Sequence, residues 1–272
     1  MDRLIFGISG LPLDDGRKKH NYISAIEYLS THSLDAMELP FVRSINVTAK
    51  NKDLILEEKI KHKFYLSAHG SYYINLNAKE EDKVLQSIER IEKGALALKS
   101  VNGKSLVFHP GYYLGDSASK TYNSILNNLL KLTDFGIDYR LETTGKGTQF
   151  GSLEEIISLC KEVKTCKPCI DFSHIHARGN GALKNFEDFD KIFSYIGDNL
   201  GEEALKDMHI HISGINYGPK GEKNHLPLQE SDFNYKDFVS ALIKYDIKGC
   251  IISESPILEK DALLLKNLYE SM

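Results

Sequence analysis

The chain has 272 residues, of which 42% are hydrophobic and 26% charged, and its net charge is −4. That composition buries a sizeable core and excludes a disordered or fibrous chain. The mild acidity excludes wholesale attraction to nucleic acid or anionic membrane, but a local basic face remains compatible with it.

The length suits one α/β barrel of about 250 residues, and no apolar run approaches the ~18 residues of a membrane span. The opening MDRLIFGISG is too short for a secretory apolar region, so a cytoplasmic protein that does not enter membranes is expected. Cys160, Cys166, Cys169 and Cys250 lack zinc-finger spacing, and CKPC precedes an apolar run rather than opening a helix. Reduced, unpaired thiols are the expectation.

In chain order, short apolar runs predict strands at Leu4–Ser9, Asp35–Leu39, Phe64–His69, Ser105–His109, Asp138–Glu142, Pro168–Phe172, Met208–Ser213 and Gly249–Glu254. Helical periodicity falls between them, at Tyr22–Thr31, Glu80–Lys99, Thr121–Leu132, Leu153–Val163 and Phe233–Tyr245, and Lys260–Glu270 closes the chain. Alternating strands and helices, with strands apolar on both faces, predict an α/β fold: a (β/α)8 TIM barrel spanning 1–272 as one domain.

Six of these strands end in a potential ligand: His69, His109, Glu142, Asp171, His211 and Glu254. Active sites of such barrels lie at the C-terminal ends of the strands. Burying six unpaired polar groups there would be costly, whereas Asp, Glu and His together suit a divalent ion such as zinc or manganese. Glu142, Asp171, His211 and Glu254 make one ion site. His69 and His109 add a second with Glu142 as bridge, and His174 and His225 could hold a third ion. His20, His32 and His62 read as surface or helix-face residues. His209, two residues before His211, points to the same face deeper in the barrel and reads as a hydrogen-bonded interior residue. His176 is open between ligand and structural roles, and Glu38 between an ion-pair partner and a substrate contact.

The segments HGSYYINL (69–76), FHPG (108–111), LETTGKGTQFGS (141–152), CIDFSHIHARG (169–179) and SESP (253–256) resemble, in order and spacing, the endonuclease IV family of apurinic/apyrimidinic endonucleases. The resemblance runs from the third strand to the end of the chain. It implies a xylose-isomerase-like barrel with a di- or trinuclear zinc cluster, acting on damaged double-stranded DNA in base-excision repair. The backbone would be cut 5′ to an abasic site, leaving a 3′-OH and a 5′-deoxyribose phosphate.

By motif, His69, His109 and Glu142 would hold the first ion and Glu142, Asp171, His211 and Glu254 the second, with Glu142 and Glu254 also positioning the attacking water. The resemblance also implies a monomer that flips the abasic nucleotide out of the duplex. Tyr72 and Tyr73 match the place where the family inserts side chains into the DNA stack. Arg43, Lys146, Arg178 and Lys223 are further candidate DNA contacts on the loops above the barrel.

The third ion is where the chain departs from the pattern. The family supplies it with a histidine in the place of His174 and an Asp-x-His pair, but here the stretch reads GEKNHLPL, with Lys223 at the acidic position. A protonated lysine cannot ligate. Either Glu222, Asn224 or His176 substitutes for the missing acid, or the third site is weak or empty. The competing reading is a single-metal sugar isomerase or epimerase of the xylose-isomerase-like barrels, which also uses a Glu, Asp, His, Glu quartet. A barrel that binds its ligand without turnover is the third.

Overall fold

The protein is described here from a computed structural model covering residues 2–272. Eight parallel strands close a barrel: β1 (Leu4–Ser9), β2 (Ala36–Pro40), β3 (Tyr65–His69), β4 (Ser105–Phe108), β5 (Asp138–Glu142), β6 (Cys166–Asp171), β7 (Met208–Ile212) and β8 (Gly249–Ser253). Each strand pairs with its sequence neighbours, and β1 closes on β8 in the register Leu4 to Gly249. The strands are buried almost throughout, β4, β7 and β8 completely, as expected for a sheet covered on one side by helices and filled on the other.

The helices are α1 (Tyr22–Thr31), α2 (Lys52–His62), α3 (Glu81–Ser100), α4 (Ala118–Leu129), α5 (Leu153–Glu162), α6 (Phe172–Arg178), α7 (Phe186–Leu200), α8 (Glu202–Leu205), α9 (Tyr235–Lys244) and α10 (Glu259–Ser271). Side-chain caps start several of them. Asn21 with Ser24, Ser152 with Glu155 and Asn185 with Asp188 form reciprocal capping boxes at α1, α5 and α7, satisfying amides that have no partner inside the helix.

Four helices lie outside the sequence reading: α2, the short α6 and α8, and α7. α2 buries only Ile55, so it shows no apolar stripe. α7 buries Phe189, Ile192, Phe193 and Ile196, a helical period that the sequence does carry. The predicted strand Pro168–Phe172 stops at Asp171, because Asp171 caps α6 and Phe172 is its first residue.

Two short antiparallel ribbons stand above the C-terminal ends of the strands. Gly111–Tyr112 pairs with Gln149–Phe150, and Gly214–Gly218 pairs with Gly221–Leu226. No described helix is long and apolar enough to cross a membrane. The four cysteines are free.

Candidate metal centre

Glu142, at the end of β5, is fully buried and stands at the middle of the site. Its Oε2 lies 3.0 Å from His69 Nε2 and 2.9 Å from His109 Nε2, while Oε1 lies 3.2 Å from His174 Nδ1 and 3.5 Å from His211 Nδ1. Four imidazoles thus crowd one carboxylate, an excess of nitrogen ligands over what charge pairing alone requires.

Ligand atoms converge in four sets, each with its atoms within 4.8 Å of one another. The sets are His69, His109, Glu142; Glu142, Asp171, His211, Glu254; His174, Glu222, His225; and the wholly buried Cys169, His209, His211. The first two are those named from sequence. The third takes Glu222 as its acid. Glu222 Oε2 is 3.6 Å from His174 Nε2, and Lys223 is exposed.

A β-bulge explains the substitution. Asn216 pairs with Asn224, but the next residue, Tyr217, pairs with Glu222. Lys223 is therefore the extra residue, and Glu222 turns to the face that carries His225. Glycines make room for this. Gly221 takes φ +93°, and a Cβ there would meet the Gly145 carbonyl oxygen at 2.2 Å; a Cβ on Gly145 would meet Glu222 Cβ at 2.8 Å. Among the other substitutes raised from sequence, the Asn224 amide bonds the His225 carbonyl. The His176 ring lies 3.1 Å from Asp232 Oδ1 through Nε2 and takes the Leu183 amide on Nδ1, so it stays outside the cluster.

Backbone carbonyls aim the rings. Nδ1 of His69 lies 2.9 Å from the Gly70 oxygen, Nδ1 of His174 3.0 Å from that of Thr143, and Nδ1 of His225 3.0 Å from that of Glu254. A proton held on Nδ1 leaves the Nε2 lone pair free for a ligand. Asp171 divides its carboxylate: Oδ1 accepts the His174 amide at 2.7 Å, and Oδ2 has no hydrogen-bond partner. Glu142 Oε1 and His211 Nδ1 are likewise buried without one. Three orphaned acceptors converging on one point are what a cation would satisfy, and the donor set suits zinc or manganese.

Charge states follow from this crowding. Burial pushes His69 and His174 down, but Glu142 acting on the first, and Asp171 with Glu142 on the second, raise them to about 9 and about 10. Burial would raise Glu142, yet the His109 charge and the surrounding imidazole hydrogen bonds hold it well below the usual carboxylate range. Asp171 is raised by burial, with the nearby Glu142 and Glu254 opposing the pull of His174.

A cavity of about 340 Å³ opens over the centre. One wall is made of the candidate ligands His69, His109, Glu142, His174, Glu222, His225 and Glu254, without Asp171 and His211. The other carries Ser71, Tyr72, Ile74, Tyr112, Lys146 and Gln149, and the Gln149 Oε1 on it is buried without a partner. Tyr72 and Tyr73 are 64% and 69% exposed, and the Tyr72 ring sits 5.9 Å from that of His69. Arg43 is exposed.

Arg178, a candidate DNA contact from sequence, is already engaged within the chain. Its guanidinium is committed to Thr144 Oγ1, the carbonyls of Lys146 and Gln149, and the Tyr113 hydroxyl, so it braces the β5 loop. His209 is interior, as its spacing implies, 3.0 Å from Glu38 Oε2 and 3.2 Å from Cys250 Sγ. His20 departs from its surface reading: its side chain is 2% exposed, between Asp14 and Ser24. Glu38, which sequence reasoning left undecided, is completely buried against His209, His211 and Ser67.

The model of the xylose isomerase-like TIM barrel family matches residues 26–268. An uncharacterised protein of Methanocaldococcus jannaschii is 45% identical over 275 residues, 99% of this chain and 98% of that one. A probable endonuclease 4 of Protochlamydia amoebophila is 28% identical over 182 residues, 64% of each chain. Among solved structures, endonuclease IV from Thermus thermophilus superposes with a TM-score of 0.73 at 16% identity, covering 99% of this chain and 98% of that one. A D-tagatose 3-epimerase-like protein gives 0.73 at 20%, covering 98% and 96%. At such identities the superpositions speak for the fold alone.

Proposed function

The chain belongs to the xylose isomerase-like TIM barrel family, and on that premise we propose that it is a metal-dependent phosphodiesterase of the endonuclease IV type, with residues 1–272 acting as a single domain. Its substrate in this reading is double-stranded DNA carrying an abasic site, cut on the 5′ side of the lesion to leave a 3′-OH and a 5′-deoxyribose phosphate. The observation that carries it is the third ligand set. His174, Glu222 and His225 converge beside the two sets that share Glu142, and only a multinuclear centre uses all three.

Two or three zinc ions, with manganese as the other candidate, would neutralise a phosphate, acidify a water and stabilise the departing oxygen. The protein's own share is placement. Glu142 bridges the first two sets, and Glu254, held near His211 at 3.6 Å, orients what attacks. Tyr72 and Tyr73 stand exposed beside the mouth, in place to fill the gap left by a flipped nucleotide. Lys146 brings a cation to the cavity wall for the flanking phosphate.

The sugar isomerase or epimerase reading draws on the same Glu142, Asp171, His211 and Glu254 quartet. One ion in that quartet leaves His69, His109, His174, Glu222 and His225 without work, which is why we place it second. The test is a labelled duplex with one abasic-site analogue, incubated with and without chelator, with bound metal counted in the same sample. Chelator-sensitive cutting 5′ to the lesion with two or three ions per chain is the expected result. No cutting with one ion bound would sink the nuclease reading and turn attention to ketoses and aldoses.

A further inference from the structure

Beneath the metal centre lies a second layer that the reaction does not touch. Glu38, the central residue of β2, is fully buried and absent from the cavity wall. Its Oε2 accepts the Ser67 hydroxyl at 2.9 Å and lies 3.0 Å from His209 Nε2. Its Oε1 lies 3.0 Å from His211 Nε2. That last approach is bent, and neither atom makes a well-aligned hydrogen bond to any other group; the Cys169 thiol is the other polar group against the His211 ring. An ionised carboxylate in a dry barrel persists only where such donors surround it.

The chemistry of the ring then becomes one-sided. His211 Nδ1 faces Glu142 Oε1 at 3.5 Å and Glu254 Oε1 at 3.6 Å, so Nδ1 is the atom that would meet an ion. A neutral imidazole offers a lone pair on one nitrogen only, and the proton must then sit on the other. A carboxylate can accept but not donate, so Glu38 favours a proton on Nε2.

We propose that Glu38 is a positioning residue. It holds His211 with Nε2 protonated and turned inward, so that Nδ1 presents its lone pair to the Glu142, Asp171 and Glu254 side. The inference rests on reading that quartet as a metal site and is independent of which substrate is cut. Its partners come from neighbouring layers of the barrel: Ser67 on β3, and His209 and His211 on β7, with Cys250 on β8 closing the far side of His209. A ring fixed from below in this way cannot swing away from the centre when the ion leaves.

The test compares wild type with Glu38→Gln and Ser67→Ala, reading zinc affinity by chelator competition and the thermal midpoint of the metal-free protein. The amide of Glu38→Gln keeps the shape but can donate to His211 Nε2, which favours the wrong tautomer. Zinc should bind about 10–100-fold more weakly for one ion per chain, with the midpoint little changed. Ser67→Ala, which loosens the same carboxylate without touching His211, should retain every ion. Glu38→Gln binding zinc like wild type would overturn the proposal. Nitrogen-15 histidine spectra of zinc-loaded wild type supply a check that needs no variant: His211 should show a proton on Nε2, and its absence there overturns the proposal even if Glu38→Gln fails to fold. Wild type that holds no zinc at all would instead refute the metal reading on which this rests.

Discussion

Glu222 places its Oε2 3.6 Å from His174 Nε2, although it stands three positions before His225 and not two. In an unbroken strand residues 223 and 225 share a face and 222 points the other way. The bulge at Lys223 reverses that. The acidic group beside His174 thus stands one position earlier than strand alternation from His225 would put it, and the hairpin absorbs the shift.

The first prediction separates Glu222 from Lys223. Glu222→Ala should lose one of the bound ions, whereas Lys223→Ala should keep the full count, both read by elemental analysis. Gly145→Ala gives the same answer by another route, because its Cβ would fall 2.8 Å from Glu222 Cβ and push the hairpin outward. A variant at Glu222 that retains every ion would show that His174 and His225 need no acid.

Most of the barrel is legible in the sequence because strands buried on both faces leave continuous apolar runs, and because His69, Glu142 and Asp171 close such runs within the strands themselves. His109 and Glu254 lie one residue past their strands and are legible for the same reason. Other features leave no such mark. α2 has one buried residue, so its period is faint. A bulge changes which side chains share a face without changing composition, so the Glu222 set is hidden from a spacing rule. Glu38 interrupts an apolar run much as the ligands do, and only the structure separates it from them, by setting it against His211 and outside every converging ligand set.

Proton release should accompany metal binding. With pKa values of about 9 and about 10, His69 and His174 carry protons at neutral pH in the metal-free protein and must lose them to ligate. Both are raised above the ordinary value near 6.5. Their contribution to metal-free stability is therefore complete below about pH 6.5 and fades as pH climbs to about 9 and about 10. Zinc affinity should rise with pH over that same window while the thermal midpoint of the metal-free protein falls. Calorimetric titration in buffers of different ionisation enthalpy would count the protons, and finding none released at neutral pH would contradict the assignment.

Removing the bridge should hurt both states of the protein. Glu142→Ala strips four imidazoles of their common acceptor. In the metal-free protein, losing one partner of a buried ion pair costs about 3–5 kcal/mol, readable by urea denaturation at neutral pH. Because part of that loss vanishes once the histidines deprotonate, the penalty should shrink as the pH is raised to about 10. Metal content should drop by at least two ions. A variant that keeps two ions would show that Glu142 is not a bridge.

The tyrosines make the sharpest distinction between binding and folding. Tyr72 and Tyr73 are 64% and 69% exposed, and the Arg90 guanidinium lies 5.9 Å over the Tyr73 ring. Exposed positions with so little buried area change stability by no more than about 0.5 kcal/mol. Stacking against an opened DNA site is worth about 1–3 kcal/mol per ring, which corresponds to roughly 5–150-fold in affinity. Tyr72→Ala and Tyr73→Ala should therefore keep wild-type thermal midpoints and metal content while binding an abasic duplex more weakly by about that margin. Binding of undamaged duplex, which opens no gap for a ring to fill, should change far less. Equal weakening on both duplexes would make the tyrosines general contacts with the backbone, and no change on either would remove them from the DNA face.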